Sequence, residues 1–284
     1  YKMIKKIFLL IIIFISCSKP EPVITVKEEA RIFNKIKTDT KVYCTEISFN
    51  RERTEAFLTV LNKQNKKDIW YTYKNKNIWA KPVPLPFNSS ADDFSPCIAP
   101  DETILYFSST RKGGFGKSDI WWVEKTENGW AEPVNLGSPI NTASNEYDEF
   151  ISSNGLTMVF SSDRDGGYGK RDLYYSENWG GYWAHPVNFG KTINSRDDDF
   201  DPWIDSEGDF IIFSTTRKNT DKNTDLWYAF KSKYGWDIPP EPIKEINTSF
   251  AEYSPFFIDN TLFFSRFDNT GKIKIMSVKA EIKK

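Results

Sequence analysis

A short motif, an apolar residue followed by Asn and a hydroxyl, recurs four times at a fixed step of 53 residues: Phe87-Asn88-Ser89, Ile140-Asn141-Thr142, Ile193-Asn194-Ser195 and Ile246-Asn247-Thr248. Five residues after each Asn stands a carboxylate, Asp93, Glu146, Asp199 and Glu252. Self-similarity at such a step specifies a repeat architecture, because each unit buries its apolar surface only by packing on its neighbours. Other segments keep the same phase. Tyr106-Phe107-Ser108-Ser109, Val159-Phe160-Ser161-Ser162, Ile212-Phe213-Ser214-Thr215 and Phe263-Phe264-Ser265 are apolar runs ending in hydroxyls. A further run opens on Asp in Asp119-Ile120-Trp121, Asp172-Leu173-Tyr174 and Asp225-Leu226-Trp227. Another opens on Trp and is stopped by Pro, as in Trp130-Ala131-Glu132-Pro133 and Trp183-Ala184-His185-Pro186.

Four short segments per unit, rich in aromatic and β-branched residues and separated by Gly, Asn, Asp and Pro clusters, predict a four-stranded antiparallel blade. No sustained 3.6-residue apolar period competes with that reading. Upstream, Ala56-Phe57-Leu58-Thr59, Asp68-Ile69-Trp70 and Trp79-Ala80-Lys81-Pro82 repeat the later segments of the unit and make a fifth, degenerate copy. The last copy supplies Lys274-Ile275-Met276-Ser277-Val278 but no Trp-x-x-Pro segment. The strand Val23 to Phe33, one period before Trp79, is expected to complete it, with Ile36-Lys37-Thr38 at the Asn-motif position. The expected fold is an all-β, five-bladed β-propeller over 23–284, its last blade closed by an N-terminal strand, so that no edge is left open.

Asn145-Glu146-Tyr147-Asp148 and the stretch Phe160-Ser161-Ser162-Asp163-Arg164-Asp165-Gly166-Gly167-Tyr168-Gly169-Lys170-Arg171-Asp172-Leu173-Tyr174 resemble the TolB-like, WD-type β-propeller repeat of bacterial envelope proteins, a type often found beside OmpA-like domains. The resemblance implies a binding or assembly platform in the cell envelope. Propellers host many unrelated activities, so it speaks for fold more than for function. The sequence carries no OmpA-like domain after the propeller, which counts against direct anchoring to the cell wall.

The start of the chain bears on location. Lys2, Lys5 and Lys6 precede the apolar run Ile7 to Ile15, too short to span a bilayer, and Ser16 then stands before Cys17. This is the pattern of a secretory signal. A Cys after a small residue at the end of the apolar run resembles a bacterial lipobox, although Phe14 stands where Leu is usual. Residues 1–17 are therefore expected to be a lipoprotein signal ending in lipidated Cys17, and 18–26 a tether to an outer-membrane surface, facing the periplasm or the exterior. Ordinary cleavage without lipid is the alternative.

Charged residues make up 27% of the chain and nearly cancel, leaving a net charge of −1, so no basic field exists to hold nucleic acid. With Cys17 assigned to lipid, Cys44 and Cys97 remain, and either a disulfide or two buried thiols fit the pattern. Cys44 aligns with Ser95, Asp148, Asp201 and Ser254. The single His185 leaves too few ligands for a zinc site and no base for a His-dependent triad.

Two readings compete for the repeated acids. Asp93, Glu146, Asp199 and Glu252 would form a partial ring near the channel mouth, where a glycosidase needs two carboxyl groups about 5 to 9.5 Å apart in distinct environments. Their repetition together with Arg111, Arg164 and Arg217 favours charge-assisted bonds that tie each blade to its neighbour. The loop after Phe160 offers Asp163 and Asp165 to calcium. Its counterpart Thr110-Arg111-Lys112-Gly113-Gly114 lacks both acids, and a turn that needs Gly explains both copies, so neither metal nor cofactor is expected. Trp122, Trp179, Tyr182 and Trp203 break the repeat or flank loops and are candidates for stacking on sugar rings or for a protein hot spot. The expected function is a non-enzymatic protein-interaction platform, with a carbohydrate-binding or glycoside-hydrolase-like propeller as the alternative.

Overall fold

The computed structural model describes residues 23–32, 36, 43–217, 223–267 and 271–283. The expected signal segment, Cys17, residues 18–22, Phe33 and Lys37-Thr38 lie outside the described residues. The repeated segments form five antiparallel sheets, a five-bladed β-propeller with no helix among the described residues. From axis to rim, blade 1 holds Tyr43–Phe49, Glu55–Leu61 and Lys67–Asn75; blade 2 holds Asp93–Ile98, Ile104–Ser109 and Asp119–Thr126. Blade 3 holds Glu146–Ile151, Thr157–Ser162 and Asp172–Glu177; blade 4 holds Asp199–Ile204, Phe210–Thr215 and Asp225–Phe230; blade 5 holds Ala251–Ile258, Thr261–Phe267 and Ile273–Lys283.

The Trp-x-x-Pro segments make the outer strands, and Pro keeps them short because it cannot donate to the ladder. In blade 2 the outer strand is split into Gly129–Trp130 and Val134–Asn135; in blade 3 it is Val187–Asn188. Blade 5 takes its outer strand from the far end of the chain. Val23–Val26 and Arg31–Ile32 both pair antiparallel with Ile273–Lys283, with Val23 opposite Lys283 and Arg31 opposite Ser277. Residues 23–26, where the expected tether and the expected closing strand overlap, are part of the sheet.

The core lies between blades rather than within them. Phe107 and Leu105 of blade 2 pack with Phe57 and Ile69 of blade 1, whereas Tyr106 packs with Met158 and Phe160 of blade 3. Neighbouring blades thus bury both faces of each second strand, which is why these strands read as continuous apolar runs. One cluster spans blades 4, 5 and 1 and includes Ile24, Phe49, Leu58, Phe210, Phe264 and Val278, so the closing strand is sealed by packing as well as by pairing.

The Asn motif is explained by its bonds. In blade 3, Leu173 N donates to Asn194 Oδ1 at 2.8 Å, and Asn194 Nδ2 donates to Leu173 O at 3.1 Å. Asn88, Asn141 and Asn247 do the same to Ile69, Ile120 and Leu226. A side-chain amide offers one donor and one acceptor in the manner of a peptide group, so it continues the ladder where the outer strand has ended. In blades 2 and 3 the Asp that opens the third strand, Asp119 or Asp172, closes the preceding loop. Asp172 accepts from Tyr168 N at 2.6 Å and Gly169 N at 2.9 Å.

Two faces result. One carries the turns between first and second strands and the hairpins between third and outer strands, which adjoin, as in Asn178 N to Leu156 O at 2.8 Å. We call it the hairpin face. The other, the linker face, carries the loops between second and third strands and the links from blade to blade.

Candidate functional site

The repeated acids do not reach the channel mouth. Asp93, Glu146, Asp199 and Glu252 are all fully buried inside the wall. Arg111 Nη2 lies 2.7 Å from Asp93, Arg164 Nη2 3.0 Å from Glu146, and Arg217 Nη2 2.6 Å from Asp199. Each pair lies within one blade, which corrects the expected direct bond between blades. The tie to the preceding unit comes from the same guanidinium, through Arg111 to Phe87 O at 3.3 Å and Arg164 to Ile140 O at 2.6 Å. The carboxylates also accept amides of the Asn-motif linker, such as Ser195 N on Asp199 at 2.6 Å. Each guanidinium stacks on the aromatic run of its blade, as Arg164 does over Phe160 at 5.2 Å. Arg266 is the fourth member and was missed in the sequence, because it stands inside the second strand, opposite Glu252, instead of at the 53-residue step. Its Nε lies 2.7 Å from Glu252.

The channel is lined two residues further along each first strand. The register slips between Phe94 and Cys97, Tyr147 and Phe150, Phe200 and Trp203, and Tyr253 and Phe256. Ser95, Asp148, Asp201 and Ser254 sit at these bulges with φ of 51°, 59°, 47° and 52°. A bulge re-aims a side chain, here toward the axis. In blade 1 the slip lies between Cys44 and Glu46, and Glu46 fills the axial position that alignment gave to Cys44. Ser95 Oγ donates to Asp148 Oδ1 at 3.1 Å, and Ser254 Oγ to Asp201 Oδ2 at 3.0 Å. The bulge amides reach the preceding blade: Ser95 N donates to Thr59 Oγ1 at 2.9 Å, Asp148 N to Ser108 Oγ at 3.0 Å, and Ser254 N to Ser214 Oγ at 3.2 Å. The hydroxyls that end the apolar runs therefore join blade to blade.

These residues line an open pocket of about 60 Å³, with Pro96, Pro202 and Pro255 in its wall. Glu149 lines it too. Burial pushes the Glu149 carboxyl well above its ordinary range, only partly offset by the 2.7 Å bond from Ser108 Oγ. Burial also raises Asp201, reinforced by Asp148 and Glu46 and opposed by Arg171. From the linker face, Arg171 lies 4.3 Å over Phe200 and 5.8 Å over Tyr147, with Nη1 4.0 Å from Asp148. Arg171 and Glu149 carried no repeat signal; Ser95, Asp148, Asp201 and Ser254 share one repeat position 53 residues apart, but their mixed side chains did not mark it as axial.

The other expected residues scatter. Trp203 is buried and packs edge-on against Phe257 at 5.5 Å, and half-buried Trp122 packs against the cluster between blades 2 and 3. Trp179 and Tyr182 are exposed on the outer hairpin of blade 3. Asp163 accepts Asn145 N and Nδ2, each at 2.7 Å, while Asp165 is exposed and Gly166 has φ of +87°, the left-handed turn that both copies require. Cys44 and Cys97 are separate thiols in different clusters, each pushed by burial to a pKa of about 12. On the hairpin face, a groove of about 520 Å³ is lined by Trp203, Asp205, Glu207, Phe257 and Asp259. Among the described residues, Asp205, Glu207 and Asp209 bring carboxylate oxygens within 4.8 Å of one another, close enough to hold a cation. Asp205 already serves the turn, accepting Asp209 N and Phe210 N at 3.0 and 3.1 Å.

No family model and no curated protein matches the chain. Solved structures do. TolB from Acinetobacter baumannii is similar at 9% identity and a TM-score of 0.50, over 85% of this chain and 56% of that one, so the chain spans little more than half of it. A protein assigned as TolB from Agrobacterium tumefaciens is similar at 11% identity and a TM-score of 0.52, over 88% and 78%. A thermostable family-43 glycoside hydrolase is similar at 12% identity and a TM-score of 0.57, over 89% and 92%. At such identities the likeness is one of fold, and that fold is shared by a TolB and by a glycosidase alike.

Proposed function

We propose that this chain is a non-enzymatic lipoprotein of the bacterial envelope, exported by 1–17, anchored through lipid on Cys17, and presenting the propeller to a protein partner. One observation carries the reading. The axial pocket, where a propeller would gather acids around a substrate, holds only about 60 Å³, and its Ser and Asp side chains are engaged in bonds that join the blades. Small-molecule sites usually measure about 300–1,000 Å³. Room for a few waters is all that remains.

The test crosslinks the tagged full-length chain in its native envelope beside a Cys17→Ala form and assays the purified protein on a glycoside panel. The expected result is a stoichiometric partner that depends on Cys17, with no turnover. Glycoside hydrolysis abolished by Asp201→Asn would overturn the reading. The glycan alternative draws support from a different place, the groove of about 520 Å³ beside Trp203 and Phe257. Saturable binding on a glycan array, weakened by Glu207→Ala, would move the assignment there.

A further inference from the structure

We infer that the hairpin face lies against the membrane to which the chain is tethered, held there by aromatic and aliphatic side chains at the hairpin tips of blades 1, 3 and 4. The inference rests on the proposed lipidation of Cys17 and deepens it, because it fixes which face is left for a partner.

The first observation is where the chain enters the propeller. Val23 pairs with Lys283, and the neighbouring Ile282 lines a groove together with Ser153, Ser206 and Asp259, which belong to the turns of the hairpin face. The outer strand of blade 5 therefore begins at that face, on the rim. Between Cys17 and Val23 there are six Cα steps, which span at most roughly 20 Å when fully extended. A lipid on Cys17 thus holds the headgroup layer within roughly 20 Å of Val23.

That reach admits two poses, with the rim of blade 5 down or with the hairpin face down. The distribution of exposed apolar side chains decides between them. Tyr182, Tyr234, Ile78 and Trp179 are 81%, 79%, 73% and 70% exposed, and no other large apolar side chain among the described residues exceeds 57%. All four are at hairpin tips of this one face. Ile78 belongs to blade 1 and Tyr234 to blade 4, the two neighbours of blade 5, and Trp179 and Tyr182 stand on the next blade round. The tips of blades 1 and 4 therefore flank the point where the tether enters, and those of blade 3 continue the same face.

Their chemistry suits an interface. Trp and Tyr present an apolar ring with a polar edge and concentrate at headgroup level. The hairpin holds them outward on a fixed frame, with Trp179 N donating to Tyr182 O at 2.8 Å and Gly180 and Gly181 at φ of 66° and 100°. Exposed Lys76, Lys233 and Lys283 lie beside the tips or the entry strand and match anionic headgroups. The tip of blade 2, Glu127-Asn128, has neither aromatic nor cation. A bilayer under the hairpin face leaves the linker face, with Arg171 and the glycine loops, open to a protein.

The test places one reporter on each face of the full-length lipidated chain in phosphatidylethanolamine–phosphatidylglycerol vesicles. Cys97 is buried and Cys44 half-buried, both with pKa of about 12, so an introduced exposed cysteine is labelled selectively. A polarity-sensitive dye at Tyr182→Cys is expected to shift to the blue and to be quenched by lipid-borne quenchers several-fold more than the same dye at Phe115→Cys on the linker face. A Trp179→Ala, Tyr234→Ala background should reduce that difference. Vesicle recovery unchanged by Cys17→Ala overturns the anchoring reading and the orientation with it. Recovery that depends on Cys17 together with equal quenching at 182 and 115 overturns the orientation alone, as does protection of position 182 by a protein without lipid quenching.

Discussion

Two carboxylates on the same strand of blade 4, Asp199 and Asp201, live in opposite circumstances. Asp199 is fully buried yet compensated, with Arg217 at 2.6 Å and the amide of Ser195 at 2.6 Å. Asp201 lines the axial channel without an arginine of its own, and burial with Asp148 and Glu46 nearby pushes its pKa up. Regular pleating would send both side chains to one side of the strand. The bulge at Asp201 parts them, one into the wall and one toward the axis. The compensated acid repeats in four blades, whereas the axial position varies as Glu46, Ser95, Asp148, Asp201 and Ser254. Repetition marks the groups that hold the blade together; variation marks the surface the blades enclose.

The comparison is broken most severely from the wall. Arg217→Ala leaves Asp199 buried without its cation, and loss of one partner of such a pair costs about 3–5 kcal/mol. Denaturant unfolding measures it, and a change below 1 kcal/mol would mean that the belt of pairs is not structural. Asn194→Ala comes next. It strips partners from the buried peptide groups of Leu173, an expected cost of about 1–3 kcal/mol, read from the same unfolding curves.

The smallest effect has the opposite sign and sharpens the contrast. Glu149 has a raised pKa in the folded chain, so its contribution to stability is fully present below the ordinary glutamate value of 4.5 and fades as pH rises through the folded value. Glu149→Gln removes that loss. Its melting temperature should fall less than that of the parent as pH rises above 4.5, with the two converging in acid. Parallel profiles would place the Glu149 carboxyl in an environment as wet as the unfolded chain.

Most of the fold was legible, and for a physical reason. Tyr106-Phe107, Val159-Phe160 and Ile212-Phe213 stood out as apolar strands, because they lie between neighbouring blades and a strand buried on both faces must be apolar throughout. The Asn motif was legible as a repeat but not as a function, since nothing in the chain indicates that an amide will stand in for a missing ladder bond. The site was read one step out. The alignment put the acids of the wall at the channel and matched Cys44 to an axial position that Glu46 holds, because a bulge shifts register without leaving a residue type that always betrays it. Trp203 and Trp179 looked alike as interruptions of the repeat, yet one is packed under Phe257 and the other stands on an exposed hairpin.

The sequence by itself determined the unit, the number of blades, the recurrence of three arginines in step with the wall acids, and the need for an N-terminal strand to complete the last blade. These follow from local periodicity, composition and turn chemistry, which act over a few residues and recur. Tertiary structure alone decided which carboxylates face the axis, how little space they leave there, and that the most exposed aromatic side chains share a face with the chain's entry into the propeller. Those properties arise where separate blades meet, across contacts of 40 to 53 residues such as Asp148 to Ser108 and Ser95 to Asp148, and no single unit encodes them.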